Sequence, residues 1–365
     1  MRLKLEPRAE PSHLMGWLSP LIAAALTIVA GFILFVALGK NPVQAFYTFF
    51  IHPIRDWNGV AELLLKASPL MLIGVGLACG YRANVWNIGA EGQLILGAIF
   101  AGGVALYFYG TESPLILPLM VVAGAIGGML WAAIPALLRT RFNTNEILVS
   151  LMLVYVANLL LSWLVHEPWR DPEGFNFPQS RQFTEAALYP ILIPGTRLHV
   201  GFLISLAAVG AGYVFLNRSF VGFQMRVAGL ADAAAKYAGF NANRMIWLGL
   251  LLGGAAAGIA GMGEVAGPIG QLMPSVSPGY GFAAIIVAFV GRLHPVGILL
   301  ASLLMSLLYL GGEAAQMALQ LPSAMTGLFQ GMLLFFLLGS DVFINYRLKV
   351  VRPPKPQPQL AEAAA

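Results

Sequence analysis

The sequence predicts an all-α polytopic membrane protein of about ten transmembrane segments, and three observations carry that prediction. Of 365 residues, 58% are apolar and only 10% charged, where a soluble globular chain carries roughly a quarter charged residues. The mean hydropathy is +0.77. The apolar runs are continuous for about twenty residues, the length a helix needs to cross roughly 30 Å of hydrocarbon, whereas outer-membrane strands alternate over roughly ten. A soluble enzyme, a disulfide-built secreted module and a disordered chain are thereby excluded. The net charge of +5 invites a nucleic-acid partner. The basic residues, however, sit in short connections between apolar runs, with no interleaving of aromatic and basic side chains. The single cysteine, Cys79, lies in an apolar run and cannot form an internal disulfide.

Residues 1–16 read as a short cytoplasmic N-terminus and 17–343 as the transmembrane domain. The run at 17–38 exceeds the 7 to 15 or so apolar residues of a signal peptide and lacks a small-residue cleavage site, so it is an uncleaved first span. Further runs follow at 60–80, 89–108, 115–138, 146–165, 199–216, 244–262, 281–291, 294–312 and 324–340. With ten spans every basic cluster lands inside: Arg2, Lys4 and Arg8; Arg139 and Arg141; Arg218, Arg226, Lys236 and Arg244; Arg347, Lys349, Arg352 and Lys355. Both termini are therefore expected in the cytoplasm, the connection 166–198 outside it, and the connection 217–244 inside. The Pro-rich tail, 344–365, is expected to be disordered and cytoplasmic. Spans two to five and seven to ten are blocks of similar length whose starts lie five spans apart, so they face opposite ways and fit an inverted repeat.

Two Gly-rich breaks carry polar residues. The first, YRANVWNIGAEG (81–92), places Arg82, Asn84, Asn87 and Glu91 at the mouth of the third span, followed by Gln93. If helical, Asn84, Asn87 and Glu91 share one face at i, i+3 and i+7. A carboxylate at a helix centre costs roughly 2.5 to 3.5 kcal/mol on insertion scales, so Glu91 should face protein or a water-filled path. The alternative is structural: Glu91 pairs with Arg82 or caps a helix start.

The second break, GMGEVAGPIGQLMPSVSPGYG (261–281), has six glycines and three prolines and carries Glu264 and Gln271. No continuous helix survives that composition, and irregular backbone near a membrane is tolerated only where protein buries it or water reaches it. The run after it, 281–291, is about half a bilayer long and is either a re-entrant helix or a span completed by its flanks. Small residues at Gly249, Gly253, Ala257 and Gly261, with Gly254 and Gly258 beside them and Gly124 and Gly128 in the fourth span, predict close helix packing.

The inside connection 217–244 holds a short Ala-rich helix at 233–238, with Asp232 as its cap and Gly239 as its stop. Two turns are too short to be stable alone, so the stub needs a surface, either a partner's or its own bundle's. Tyr155, Asn158 and Ser162 share a face of span five, and the histidines 13, 52, 166, 199 and 294 fall near span ends without metal-ligand spacing. There is no GxxxxGK[ST] loop and no GxSxG elbow. Apart from Glu91 and Lys66 the runs hold almost no ionisable residues, so an ion-coupled secondary carrier or an intramembrane enzyme is disfavoured and energy is expected from another subunit.

Four motifs occur in order: NVWNIGAEGQLILGA (84–98), NTNEILVSLML (143–153), RVAGLADAAAKYAG (226–239) and SPGYGFAAIIVAFVG (277–291). Together they resemble permease subunits of ABC importers of the nucleoside and simple-sugar branch, related to ribose and branched-chain amino-acid permeases, over residues 17–343. The NIGAEGQ string points to the nucleoside side, with a simple-sugar (pentose) permease as the alternative. The resemblance implies a non-enzymatic transport subunit in the bacterial cytoplasmic membrane. It implies that Arg226, Gly229, Asp232, Ala233, Ala234, Tyr237 and Gly239 belong to a coupling helix that docks on a cytoplasmic ATPase. Val227 and Ala231 depart from the Ala and Asn expected there. It further implies a second permease subunit, commonly in a heterodimer, an extracytoplasmic substrate-binding protein, and no cofactor in this chain, ATP and Mg being held by the ATPase. On the alternating-access picture, the translocation path is expected to be lined by Asn84, Asn87, Glu91, Gln93, Glu264 and Gln271.

Overall fold

The computed structural model describes residues 2–8, 10 and 12–351. In chain order they form β1 (Arg2–Pro7), α1 (His13–Ala37), α2 (Pro42–Phe46), α3 (Trp57–Arg82), α4 (Ala90–Tyr107), α5 (Ile116–Phe142), α6 (Glu146–His166), α7 (Gly201–Arg218), α8 (Phe220–Leu230), α9 (Asp232–Tyr237), α10 (Ala242–Glu264), α11 (Tyr280–Val290), α12 (Pro295–Leu319), α13 (Ala324–Asn345) and β2 (Tyr346–Val351). Among the described residues nine helices are long and apolar enough to cross a membrane, and α11 is a shorter apolar helix. The chain is an all-α polytopic membrane protein with a small terminal ribbon. It divides into two compact units, 43–330 and the two terminal stretches 1–42 and 331–365.

In the larger unit the central helices are α3 and α4, with 83% and 72% of their apolar windows buried, against 22 to 33% for α5, α6 and α7. An outer helix that stays apolar on its exposed face is what a lipid solvent requires. α10 packs on α3, α4 and α5, and α11, α12 and α7 pack on α3. The small-residue ladder does what its spacing predicts. A Cβ on Gly249 would meet Gly80 Cα at 2.9 Å, one on Gly254 would meet Ala132 Cβ at 2.6 Å, and one on Gly261 would meet Ala98 N at 3.2 Å. Backbones thus touch where lipid offers no hydrophobic drive for association and close dispersion contact supplies it.

The segment leading to α11 runs back along α4. Leu272 lies against Gly102, 2.6 Å from the Cβ position of that glycine, Gly281 lies on Glu91, and Phe289 stacks on Tyr81 and Trp86 at 5.3 and 5.8 Å. Residues 272–281 therefore run antiparallel to α4, roughly 17 Å between the levels of Glu91 and Gly102 at 1.5 Å per residue, and α11 continues past the start of α4 along the end of α3. The stretch is irregular in its first half and helical in its second. The connection 167–200 hydrogen-bonds the irregular backbone next to it: Ser180 N donates to Leu272 O at 2.9 Å, Phe183 N to Gly270 O at 2.8 Å and Tyr189 N to Ala266 O at 2.8 Å. Such backbone survives at membrane depth only when protein satisfies it in this way.

In the terminal unit, β1 pairs antiparallel with β2, Leu5 opposite Leu348 and Pro7 opposite Tyr346. Glu6 bridges to Arg347 at 2.9 Å and Lys349 at 3.2 Å. The Ser19 hydroxyl donates to Asp341 on α13. This corrects the reading of 344–351 as a disordered tail, because Tyr346–Val351 is a paired strand. Residues 352–365 lie outside the described ones.

Candidate functional site

The polar residues expected to line a path fall into two groups. The first surrounds the start of α4. Asn84 adopts a left-handed conformation, φ 55°, which ends the α3 geometry, and its Oδ1 accepts from Trp86 Nε1 at 2.9 Å. Asn84 and Asn87 are therefore on irregular backbone, and the i, i+3, i+7 face expected for Asn84, Asn87 and Glu91 does not form. Asn87 and Gln93 exchange two hydrogen bonds, Asn87 Nδ2 to Gln93 Oε1 at 2.8 Å and Gln93 Nε2 to Asn87 Oδ1 at 3.0 Å. The Tyr81 hydroxyl donates to Asn87 O at 3.0 Å.

Glu91, 5% exposed, takes the capping alternative, but for a different helix. Its Oε2 accepts from Gly281 N at 2.6 Å, and Ser277 and the Gly279 amide also bond the carboxylate. It thus sits at the N-termini of both α4 and α11, where unpaired amides and the helix dipoles favour an anion. The pairing with Arg82 does not form: Arg82 Nη1 donates to Leu216 O at 3.4 Å and Asn217 Oδ1 at 3.3 Å. In this chain Asn87, Glu91 and Gln93 are buried and internally bonded, and Asn84 is exposed.

The second group lies toward the far end of α10. Glu264 closes α10 and borders a cavity of about 20 Å³ with Ser68, Tyr189, His199 and Ser205. Gln271 is on the following irregular stretch, its Nε2 donating to Gln179 Oε1 at 3.2 Å. The sequence reading missed the residues around Glu264. Arg197 grips Glu62 in a two-pronged contact, Nε to Oε1 at 2.8 Å and Nη2 to Oε2 at 2.7 Å, which raises the guanidinium pKa. Lys66 pairs with Glu313 at 2.8 Å. Glu62 and Lys66 are spaced i, i+4 on α3, a signal available in the sequence. His199, which the sequence places near a span end, is 5% exposed, and burial holds its pKa down to about 4. Tyr189 stacks on it with centroids 5.0 Å apart, and burial raises its hydroxyl pKa. Among the described residues no cluster of three or more His, Cys, Asp or Glu is placed to hold a metal ion.

The connection between α7 and α10 holds two helices where one was expected. Ser219 caps α8, its Oγ accepting from Gly222 N at 2.9 Å. Gly229 lies so close to Arg82 and Ala83 that a Cβ would meet Ala83 C at 3.2 Å, which pins α8 to the end of α3. Arg226 Nη2 donates to Leu216 O at 3.4 Å. The stub begins one residue earlier than read: Asp232 is its first helical residue, Ala231 its N-cap, and Gly239 at φ +77° follows its end. Of residues 233–237 only Ala235 is buried, while Ala233, Ala234 and Gly239 are exposed, Tyr237 is 97% exposed and Leu230 82%. Phe240 folds back onto Phe220 and Phe223 at 6.0 and 6.4 Å.

Residues 59–338 match the family model described as branched-chain amino acid transport system / permease component. The chain is 36% identical over 360 residues to the glucose ABC transporter permease protein TsgB13 of Haloferax volcanii, covering 96% of this chain and 94% of that one. It is 30% identical over 353 residues to the guanosine ABC transporter permease protein NupP of Bacillus subtilis, covering 93% and 97%. It is 28% identical over 302 residues to the nucleoside ABC transporter permease protein NupB of Lactococcus lactis subsp. cremoris, covering 80% and 83%.

Proposed function

This chain belongs to the branched-chain amino acid transport system / permease component family and is a permease subunit of an ABC importer, and from that premise we propose that it carries nucleosides by alternating access through the bacterial cytoplasmic membrane. Family membership implies an ATPase, a substrate-binding protein and a bilayer as partners. The second permease subunit is proposed to be a different chain, and ATP and Mg are proposed to bind only the ATPase. A simple sugar is the second reading for the solute, favoured by the relative named for glucose at 36% identity. The relatives named for guanosine and nucleosides, at 30% and 28%, favour the first.

The observation that carries the coupling role is the stub at 232–237. A two-turn helix with one buried side chain among residues 233–237 and a nearly fully exposed Tyr237 is too short to be stable without a surface to dock on. We assign Arg226, Gly229, Asp232, Ala233, Ala234, Tyr237 and Gly239 to an ATPase-docking segment on the cytoplasmic side, with 166–198 on the opposite side. Arg226 and Gly229 hold α8 on the bundle, and Ala233, Ala234 and Tyr237 form the face the ATPase meets. What supports rigid transmission is that α8 is backed by α3 at Gly229, so a push on the stub reaches a central helix.

The proposed path runs past Glu264 and Gln271, with the Glu62–Arg197 and Lys66–Glu313 pairs along its outer part. Asn84, Asn87, Glu91 and Gln93 contribute by fixing where α4 and α11 begin. The two breaks, 83–89 before α4 and 270–279 before α11, occupy corresponding places in blocks 57–166 and 242–345, which supports the inverted-repeat reading.

The test is uptake of radiolabelled guanosine and glucose into proteoliposomes. ATP-dependent uptake that needs ATPase, binding protein and both permeases supports the reading. Uptake by this chain alone, driven by an ion gradient, refutes it.

A further inference from the structure

A cleft of about 110 Å³ is lined by Tyr189, Ile191, Arg197, His199, Gly267 and Pro268, several times the roughly 10–15 Å³ one water needs. Tyr189 and His199 are each 5% exposed, and both also border the smaller cavity at Glu264. The Tyr189 hydroxyl and His199 Nε2 have no hydrogen-bond partner among the described residues. Leaving such buried groups unmade costs about 1–3 kcal/mol each. The two residues that carry them line one cleft, which makes these atoms the candidates for pairing with a polar guest.

The chemistry of the guest follows from the groups. His199 Nδ1 accepts from Gly201 N at 3.1 Å, so Nε2 carries the proton of the neutral ring and donates. Tyr189 both donates and accepts. Arg197 is a third donor, with its charge already matched by Glu62, so the cleft offers little net charge to an ionic guest. Gly267 is part of the fit: a Cβ there would meet His199 Cδ2 at 2.8 Å and intrude on the Nε2 edge. Two or three adjacent donors and acceptors, uncharged overall and beside aromatic rings, match neighbouring hydroxyl groups on a saturated ring.

We propose that the Tyr189–His199–Arg197 cleft is a subsite for a vicinal diol, the feature shared by a nucleoside's ribose and by a hexose. The inference rests on the transport reading for the solute's class and gives that reading a contact point on the far side of the bundle from α9. Tyr189 and His199 hold the diol, Arg197 reaches it from the rim, and Gly267 leaves the room.

The test uses the full chain in nanodiscs and saturation-transfer NMR with guanosine, 2′,3′-dideoxyguanosine and glucose as probes. Binding by guanosine and glucose supports the diol in general. Guanosine alone supports a ribose, and glucose alone supports a hexose. In each case Tyr189→Phe, which keeps the stacked ring, weakens the diol probe by at least about fivefold, and Gly267→Ala does the same, a loss in the range expected for one hydrogen bond. The dideoxy compound gives the same weak signal with the native chain and with Tyr189→Phe. No signal from either diol, meaning solvent only, overturns the proposal, as does equal binding by the native chain and Tyr189→Phe. Because binding is read without ATP or partners, absent ATP-driven uptake overturns only the transport reading.

Discussion

Glu91 Oε2 accepts a 2.6 Å hydrogen bond from the amide of Gly281, a residue 190 positions later. One carboxylate thereby joins the starts of two helices, its own α4 and the short α11, and satisfies amides that lipid cannot. The approach is close enough that a Cβ on Gly281 would strike the backbone of Glu91. Two helix N-termini and three hydrogen-bond donors thus meet one buried carboxyl group, and among the described residues none of its hydrogen-bond partners is Lys or Arg.

Glu91→Gln keeps an acceptor at this junction and Glu91→Ala removes it. The expected loss of stability is about 1–3 kcal/mol for Glu91→Ala, from unpaired buried amides, and less for Glu91→Gln. Thermal unfolding of the purified chain in detergent reads the order. Equal melting of the two variants would show that the junction is not held by the carboxylate.

Gly254→Leu should disrupt the bundle, because even a Cβ meets Ala132 at 2.6 Å, whereas Gly210, with nothing within 4 Å, should tolerate Ala. Overpacking costs about 1–3 kcal/mol or more. Gly210→Ala should be neutral or gain up to about 1 kcal/mol from helix propensity. Monodisperse yield after gel filtration separates the pair.

His199 supplies a pH dependence whose sign is fixed by burial. Its pKa falls from 6.5 to about 4 on folding, so between those values the unfolded chain binds the proton more readily. Stability present above pH 6.5 is lost as pH falls toward 4, by up to about 3 kcal/mol, and then levels off. Carboxylates titrate in the same window, so the readout is the difference in melting between the native chain and His199→Gln. That difference should shrink in favour of His199→Gln on acidification, and an unchanged difference would contradict a buried neutral ring.

Much of this fold was legible because lipid enforces simple rules: long apolar runs became the spans, and the ladder from Gly249 to Gly261 became the contact on α3, α4 and α5. The broken segment before α11 was legible as a break, since six glycines and three prolines exclude a continuous helix. Its route was not, because Gly281 meets Glu91 only through tertiary structure. The face drawn for Asn84, Asn87 and Glu91 failed because it assumed a helix where Asn84 turns left-handed. The ribbon was missed although RLKLEP and YRLKVV both alternate with period two, a strand signal masked by their position at the termini. Tyr189 and His199 were illegible for a different reason: only the folded connection between α6 and α7 stacks Tyr189 on His199 and sets His199 against Gly267.

The central claim is that this subunit is driven from its α9 stub, and Ala234→Glu tests it most directly. In proteoliposomes with ATPase, partner permease and loaded binding protein, the variant should insert normally and hydrolyse ATP while importing solute at least about tenfold more slowly, a loss equivalent to about 1.4 kcal/mol of productive coupling. Import at the native rate by a correctly inserted Ala234→Glu subunit would contradict the account.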